Sequence, residues 1–141
     1  MSAITTSHIA ALFPETALNQ ARAVEAGLSV SRFNTFRRAL PLTNDKLAEL
    51  LGISESTLLR LSRQPGRTLL PVNVSDRLWR IWNVRRKAAE LFSGDVAAAD
   101  GWLAKGQAAF SGRTPLALML TEVGAREVET LIGRLEHGIV A

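Results

Sequence analysis

The segment NDKLAELLGISESTLLRLSR, residues 44–63, has the spacing of a helix-turn-helix. In this motif two short helices cross steeply over one small contact, so the first helix needs a small residue there and the turn needs a residue that tolerates positive φ. Ala48 and Gly52 meet these two requirements, and Ser54 can cap the second helix. The inward positions of both helices are apolar: Leu47, Leu51, Ile53, Leu58 and Leu61. The segment predicts a helix-turn-helix, with an ordinary helix hairpin as the alternative.

Basic residues are concentrated around this segment. Residues 32–87 carry 12 Lys and Arg against four Asp and Glu, whereas residues 1–31 have a net charge of −1 and residues 88–141 a net charge of −3. A basic block on one part of a fold is the electrostatic signature of nucleic-acid binding, because phosphate contacts supply much of the affinity. The charge pattern therefore favours DNA as a partner, and a solvated basic surface is the alternative.

If the segment binds DNA, the N-terminal half of its second helix enters the major groove. Arg60 is suited to bidentate contacts with guanine, and Glu55 can accept a hydrogen bond from the amino group of cytosine. Ser56 and Thr57 can bond phosphates or bases, and the other arginines fit phosphate contacts better. The predicted DNA-binding residues are Ser54, Glu55, Ser56, Thr57, Leu59, Arg60, Arg63, Arg37 and Arg38.

The rest of the chain is predicted to be nearly all helix. The sequence has no Tyr, and no stretch shows the strict alternation of a half-buried strand. Ser31, Asn44 and Ser75 are assigned as N-caps, as are Ser54, Asp95 and Thr121. The predicted helices span residues 15–26, 32–40, 45–51, 55–63, 76–92, 96–105, a short segment opened by Thr114-Pro115, and 122–137.

The segment 67–74, which contains Pro71, is predicted to be a loop or linker between a basic unit and an acidic unit. The chain then divides into an N-terminal helical extension (1–30), a helix-turn-helix unit (31–68) and a C-terminal domain (69–141). The predicted fold class is all-α.

No catalytic site is predicted. His8 and His137 have no partner in the sequence pattern, and there is no metal-ligand pair, glycine-rich phosphate loop or Ser/His/Asp grouping. The chain has no Cys, so thiolate chemistry and disulfides play no part. We expect a protein that is not an enzyme and that uses neither a cofactor nor a metal.

No apolar run approaches the roughly 18 residues of a membrane span. The N-terminus also lacks the basic start and apolar block of a secretory signal. We therefore expect a cytoplasmic protein without a membrane partner.

Several motifs follow one another after Leu69. They are Ser75-Asp76-Arg77-Leu78, the helix end formed by Ala88, Leu91 and Phe92, Trp102-Leu103, Gly112-Arg113-Thr114-Pro115-Leu116, Leu120-Thr121, Gly124, Val128, Leu131, Leu135 and Gly138. This part of the chain resembles the toxin-binding domain of the Xre/MbcA/ParS antitoxin family. With the helix-turn-helix, the resemblance covers roughly residues 30–141.

The resemblance implies an Xre/Cro-like helix-turn-helix unit followed by a small helical toxin-binding domain. It also implies the antitoxin of a type II toxin–antitoxin system, whose partner is a toxin with a RES domain that consumes NAD or uses it for ADP-ribosylation. Such an antitoxin blocks the active site of its toxin, and the complex usually binds its own promoter, so operator DNA is a second implied partner.

The segment LEHGIVA, residues 135–141, raises a separate question. Gly138 is predicted to stop the last helix, and an apolar segment beyond it is normally frayed and without function. If the domain plugs an NAD site, however, Ile139 and Val140 can fill the apolar part of the pocket, while acidic groups pair with basic ones. These acidic groups are Glu136 and the terminal carboxylate of Ala141. The predicted toxin-binding residues are Arg134, Glu136, His137, Gly138, Ile139, Val140 and Ala141.

Trp79 and Trp82 lie beside Leu78 and Ile81 on the long helix, and one helix face is too narrow for all four. The tryptophans therefore form either buried core or a homodimer interface, and a homodimer is predicted. Two functions remain open: an antitoxin that also represses transcription, and a stand-alone helix-turn-helix regulator whose C-terminal unit only dimerises. A neighbouring reading frame that encodes a RES-domain toxin would favour the first.

Overall fold

A computed structural model describes residues 12–138. Within this range there is no strand beyond an isolated bridge, and the predicted all-α class is confirmed. No helix in the described part of the chain is both long and apolar enough to cross a bilayer. The helices are α1 Ala17–Ala26, α2 Val30–Ala39, α3 Asn44–Leu51, α4 Glu55–Ser62, α5 Val72–Leu91, α6 Val96–Leu103, a 3-10 turn at Ala108–Phe110, α7 Pro115–Leu118 and α8 Glu122–Glu136.

The described residues divide into two compact units, 12–79 and 80–138, and α5 runs from the first into the second. The sequence placed this division at residue 68, but the segment after α4 belongs to the N-terminal unit. The Val30 N–H donates to the Thr68 carbonyl at 2.9 Å, and the Leu70 N–H donates to the Leu28 carbonyl at 2.8 Å. The segment predicted as a linker is therefore paired with the residues that begin α2.

Ser75 does not cap a helix, contrary to the sequence prediction. α5 begins at Val72, directly after Pro71, whose carbonyl accepts from the Ser75 N–H at 3.0 Å. Ser75 itself is buried, and its hydroxyl oxygen accepts from the Leu28 N–H at 2.9 Å. A buried backbone N–H requires a hydrogen-bond partner. Ser75 is that partner for the Leu28 N–H, which lies before α2. Its side chain therefore makes a tertiary hydrogen bond and does not cap α5.

The other helices of the N-terminal unit begin close to the predicted positions. α1 begins at Ala17 with Thr16 as its cap, two residues later than predicted. α2 is capped by Ser29 and not by Ser31, since the Ser29 hydroxyl oxygen accepts from the Arg32 N–H at 3.3 Å. Asn44 is the first residue of α3 and not its cap. The N–H groups of Val30 and Ser31 donate to the carbonyls of Thr68 and Gly66, each at 2.9 Å, and these tertiary hydrogen bonds hold the start of α2.

In the C-terminal unit Asp95 and Thr121 are N-caps as the sequence predicts, and Thr114 caps the short helix that Thr114-Pro115 is predicted to open. The side chains of Asp95, Thr114 and Thr121 accept from backbone N–H groups at 3.0, 3.1 and 3.0 Å. Its buried apolar residues include Val84, Ala88, Val96, Ala99, Leu103, Met119, Ala125, Val128, Leu131 and Ile132.

Two ion pairs join α8 to the part of α5 between Arg80 and Lys87. Arg80 lies 3.9 Å from Glu122, and Lys87 lies 3.3 Å from Glu129. Arg80 and Lys87 are seven residues apart in the sequence, as are Glu122 and Glu129. The two helices therefore run side by side in the same direction, and α8 continues beyond the second pair to Glu136.

Candidate functional site

The turn between α3 and α4 has the conformation that a helix-turn-helix requires. Gly52 is left-handed with φ +68°, and the Ile53 N–H donates to the Ala48 carbonyl at 3.0 Å. The inward residues Leu47, Leu51 and Leu58 are buried together with Ala48, whereas Ile53 and Leu61 are half-buried. The predicted helix-turn-helix is confirmed, with the small residue and the glycine in their predicted roles.

The first turn of α3 carries an acidic residue at the positive end of the helix dipole. The Thr43 hydroxyl donates to the Asp45 carboxylate, and this hydrogen bond lowers the pKa of Asp45. A carboxylate that stays ionised at a helix N-terminus is stabilised by the dipole. Asp45 therefore supports the start of the first helix of the motif.

Hydroxyl groups cluster at the N-terminus of α4. The Ser54 oxygen accepts from the Thr57 N–H at 3.1 Å, and the Ser54 hydroxyl donates to the Thr57 oxygen at 2.9 Å. The hydroxyls of Ser54 and Ser56 lie 3.1 Å apart. Ser54, Glu55 and Ser56 are exposed, and Thr57 and Leu59 are half-buried. Ser54 thus serves as the helix cap, and Ser56 is the more accessible hydroxyl for an external acceptor.

The predicted arginines are in two different situations. Arg38, Arg60 and Arg63 are exposed and accessible to a polyanion. Arg37 is half-buried, and its Nη1 donates to Asn44 Oδ1 at 3.3 Å. Arg37 therefore links the end of α2 to the start of α3. This contact is structural and lies at the beginning of the helix-turn-helix.

Arg77 of α5 contacts the turn between α3 and α4, and the sequence pattern does not predict this contact. Its Nη1 donates to the Leu51 carbonyl at 2.8 Å. A Cβ placed on Gly52 would lie 1.5 Å from the same nitrogen, so the guanidinium fills the space beside this glycine. No local pattern connects residues this far apart in the chain, although Arg77 does belong to the Ser75-Asp76-Arg77-Leu78 motif.

The two tryptophans of α5 have partners within the chain. Trp79 is half-buried, and its Nε1 donates to Gln20 Oε1 at 2.9 Å. Trp82 is 2% exposed, and the Arg86 guanidinium lies 5.3 Å from the centre of its ring. These positions agree with the core alternative, and Trp82 offers almost no surface to a second copy of the chain.

The last turn of α8 is exposed. Arg134, Glu136 and His137 point to solvent, and His137 Nδ1 lies 2.6 Å from the Gly133 carbonyl oxygen. Gly138 has φ +70°, and a Cβ placed on it would meet no atom of the described structure within 4 Å. Ile139, Val140 and Ala141, which complete the predicted toxin-binding set, lie outside the described residues.

Exposed apolar side chains occur near the beginning of α8, where the sequence analysis placed no site. Leu120 precedes the helix, and Val123 in its first turn is 73% exposed. The residue after it, Gly124, is buried, and a Cβ placed on it would lie 1.8 Å from the Leu118 carbonyl oxygen. The helical stripe of Val128, Leu131 and Ile132 faces the interior instead, as the sequence predicts.

Comparison with known proteins accounts for both parts of this arrangement. Residues 20–82 match the antitoxin Xre-like helix-turn-helix domain, and residues 87–138 match the antitoxin Xre/MbcA/ParS C-terminal toxin-binding domain. The chain is 32% identical to an "Antitoxin Xre" of Yersinia enterocolitica (serotype O:8 / biotype 1B) over 116 residues, which cover 82% of this chain and 77% of that protein. The chain belongs to the Xre antitoxin family.

Two further relatives carry the same name. An "Antitoxin Xre" of Photorhabdus laumondii is 32% identical over 112 residues, which cover 72% of this antitoxin and 76% of the relative. An "Antitoxin Xre" of Pseudomonas putida is 35% identical over 69 residues, covering 49% of this antitoxin and 43% of the relative. The predicted resemblance is confirmed. The first matched range ends and the second begins within the residues of α5.

Proposed function

We propose that this antitoxin neutralises a RES-domain, NAD-consuming toxin through its C-terminal unit and represses its own operon by binding DNA through α3 and α4. The family match supports a toxin partner and a DNA-binding motif. The class of toxin, the use of NAD and the autoregulation are what the resemblance to the Xre/MbcA/ParS family implies, and they enter here as part of the proposal.

The exposed end of α8 is the observation on which the proposed inhibition depends. The toxin-binding match extends to Gly138, which lies two residues beyond the end of α8 and has a positive φ. A glycine with positive φ lets the chain leave a helix at a sharp angle. The proposed inhibitory segment, residues 134–141, would continue from this turn into the active site of the toxin.

The chemistry of the inhibitory segment suits a nucleotide cleft. Such a cleft has basic groups for the pyrophosphate and an apolar part beside them. Glu136 can form charge-assisted hydrogen bonds with the basic groups, and Ile139 with Val140 can fill the apolar part. The segment would then exclude NAD by direct competition, without a change in the conformation of the toxin.

The DNA-binding proposal depends on the exposure of α4 and of the neighbouring arginines. Arg38, Arg60 and Arg63 are exposed. In this proposal Arg60 contacts a base edge, and Arg38 and Arg63 contact phosphates. Helix-turn-helix proteins commonly bind as dimers to half-sites about one helical turn apart. The homodimer therefore remains part of the proposal. The surface between the two copies would not include Trp82, because this residue is buried within its own chain.

Co-expression with the adjacent reading frame tests the proposed function. The full-length antitoxin would carry an affinity tag, and we expect it to retain a RES-domain protein through purification. The toxin alone should lower cellular NAD, and the purified complex should leave added NAD intact. The Arg38→Ala variant is a matched control, because a change on the DNA-binding face should not affect retention of the toxin. A neighbour that is not retained, or that consumes NAD equally in the complex, would contradict the proposal.

A further inference from the structure

The turn of the helix-turn-helix is held by a residue from outside the motif. Arg77 is half-buried, and its Nη1 donates at 2.8 Å to the carbonyl of Leu51, the last residue of α3. The last carbonyls of a helix have no partner within the helix, and a cation there interacts favourably with the helix dipole. Arg77 therefore satisfies an end group of α3 and places a positive charge at the negative end of that helix.

The same guanidinium packs against Gly52. A Cβ on this residue would lie 1.5 Å from Arg77 Nη1 and 2.7 Å from Cζ. Gly52 is therefore required twice, once for its left-handed conformation and once for the space that the arginine occupies. Only Ile53 separates Gly52 from Ser54, the cap of α4, so a shift at Gly52 is passed directly to the start of that helix.

Arg77 itself projects from a well-anchored part of α5. Val74, Ser75 and Leu78 are buried on the two sides of it in sequence. Ser75 also accepts a hydrogen bond from the Leu28 N–H. The part of α5 that carries Arg77 is thus anchored in the core of the N-terminal unit. Its guanidinium can therefore support the turn from a fixed position.

We propose that Arg77 is a positioning residue for DNA recognition, which sets the orientation of α4 by holding the α3–α4 turn. The inference rests on the proposed DNA binding. Base contacts require that side chains be held to within about 0.5 Å of the productive geometry. Loss of the support should therefore reduce binding to a specific sequence, whereas non-specific phosphate binding tolerates a small rotation of α4.

The test uses Arg77→Met in the full-length protein and two DNA probes. One probe is the DNA immediately upstream of this gene, and the other is a duplex of the same composition in shuffled order. We expect the affinity for the upstream DNA to fall about tenfold, the size of one lost hydrogen bond to a charged group. The affinity for shuffled DNA and the salt dependence of binding should not change.

Arg22→Met is the matched control, because Arg22 is exposed on α1 and the substitution removes the same charge. Any effect of this variant should be equal on the two probes. If Arg77→Met leaves the ratio of the two affinities at the wild-type value, the proposal is wrong. A salt slope lowered by about one would mean that Arg77 contacts a phosphate directly, and this result would also overturn the positioning role.

Arg77→Lys covers the case in which the methionine variant does not fold. Lysine keeps the charge and the long stem, but it lacks the planar fork that both donates to Leu51 and covers Gly52. We expect the lysine variant to lose preference for the upstream DNA as well. Wild-type preference in this variant would overturn the proposal.

Hydrogen exchange separates this inference from the proposed function. In folded Arg77 variants the backbone amides of residues 53–58 should exchange faster than in wild type, because the turn opens more easily. If wild type itself does not prefer the upstream DNA, the DNA-binding proposal fails, and faster exchange would still support the hold on the turn. Unchanged exchange would show that Arg77 does not hold the turn.

Discussion

Arg85 and Asp100 form a bidentate ion pair between α5 and α6. Arg85 Nε donates to Asp100 Oδ1 and Nη2 donates to Oδ2, each at 2.7 Å. The arginine side chain is 2% exposed and the aspartate side chain 17% exposed. Parallel hydrogen bonds of this kind fix the relative orientation of the two groups. The pair therefore joins the family-matched C-terminal domain to the middle of the long helix.

Asp100→Asn should destabilise the protein strongly. Removing one charge of a buried ion pair leaves the other charge in a medium of low polarity, and we expect a loss of about 3 kcal/mol in the free energy of unfolding. Glu90→Gln is the matched control, because the Glu90 side chain is 52% exposed and its pair with Arg86 should contribute less than about 1 kcal/mol. Urea denaturation measures both, and equal effects would contradict the structural role of the buried pair.

Two glycines of α8 should respond to alanine in opposite directions. A Cβ on Gly124 would lie 1.8 Å from the Leu118 carbonyl oxygen, whereas a Cβ on Gly133 would meet no atom of the described structure within 4 Å. Gly124→Ala should cost about 1–3 kcal/mol through overpacking. Gly133→Ala should stabilise by about 0.5–1 kcal/mol, because alanine has the higher helix propensity. Thermal unfolding of the two variants checks the close packing of α7 on α8, and a stable Gly124→Ala variant would contradict it.

Arg60 and Arg38 should make different contributions to DNA binding. Arg60→Ala should weaken binding to the upstream DNA by about 1–3 kcal/mol and relax the preference at one base pair. Arg38→Ala should weaken binding to all sequences alike. It should also lower the slope of log affinity against log salt concentration by about one. Affinity measurements at several salt concentrations distinguish the two effects. If binding survives both substitutions together, the assignment of α4 as the recognition helix is wrong.

The predicted homodimer is tested by the mass of the protein in solution. We expect twice the 15.3 kDa of one chain at micromolar concentration in the absence of toxin. Trp82→Phe should leave this mass unchanged, because Trp82 is buried within its own chain. A monomer at the same concentration would remove the dimer from the proposed function without affecting the fold.

Local features of the sequence were sufficient to predict the helix-turn-helix and most helix boundaries. Gly52 and Ser54 act through their own backbone and the next few residues, so their roles can be read from the spacing. Asp95, Thr114 and Thr121 were predicted to cap or open their helices for the same reason. The apolar stripe of α8 also follows directly from the helical period.

Contacts between distant residues were not predictable in this way. Ser75 has the sequence context of a cap, yet it serves Leu28, which lies far away in the chain. The support of Gly52 by Arg77 and the pairing of Arg85 with Asp100 likewise depend on tertiary packing. Side chains that join separate elements leave no periodic signal, so the sequence did not show which partners these residues contact.

Removal of residues 138–141 tests the central claim that the inhibitory segment occupies the active site of the toxin. The deletion leaves α8 intact, because this helix ends at Glu136. The shortened protein should fold and bind the upstream DNA as before, yet fail to protect cells in which the toxin is induced. The full-length double substitution Ile139→Ser with Val140→Ser should show the same loss if the apolar contacts matter. Growth equal to that of cells with the unchanged antitoxin would contradict the claim and would place the inhibition elsewhere on the C-terminal unit.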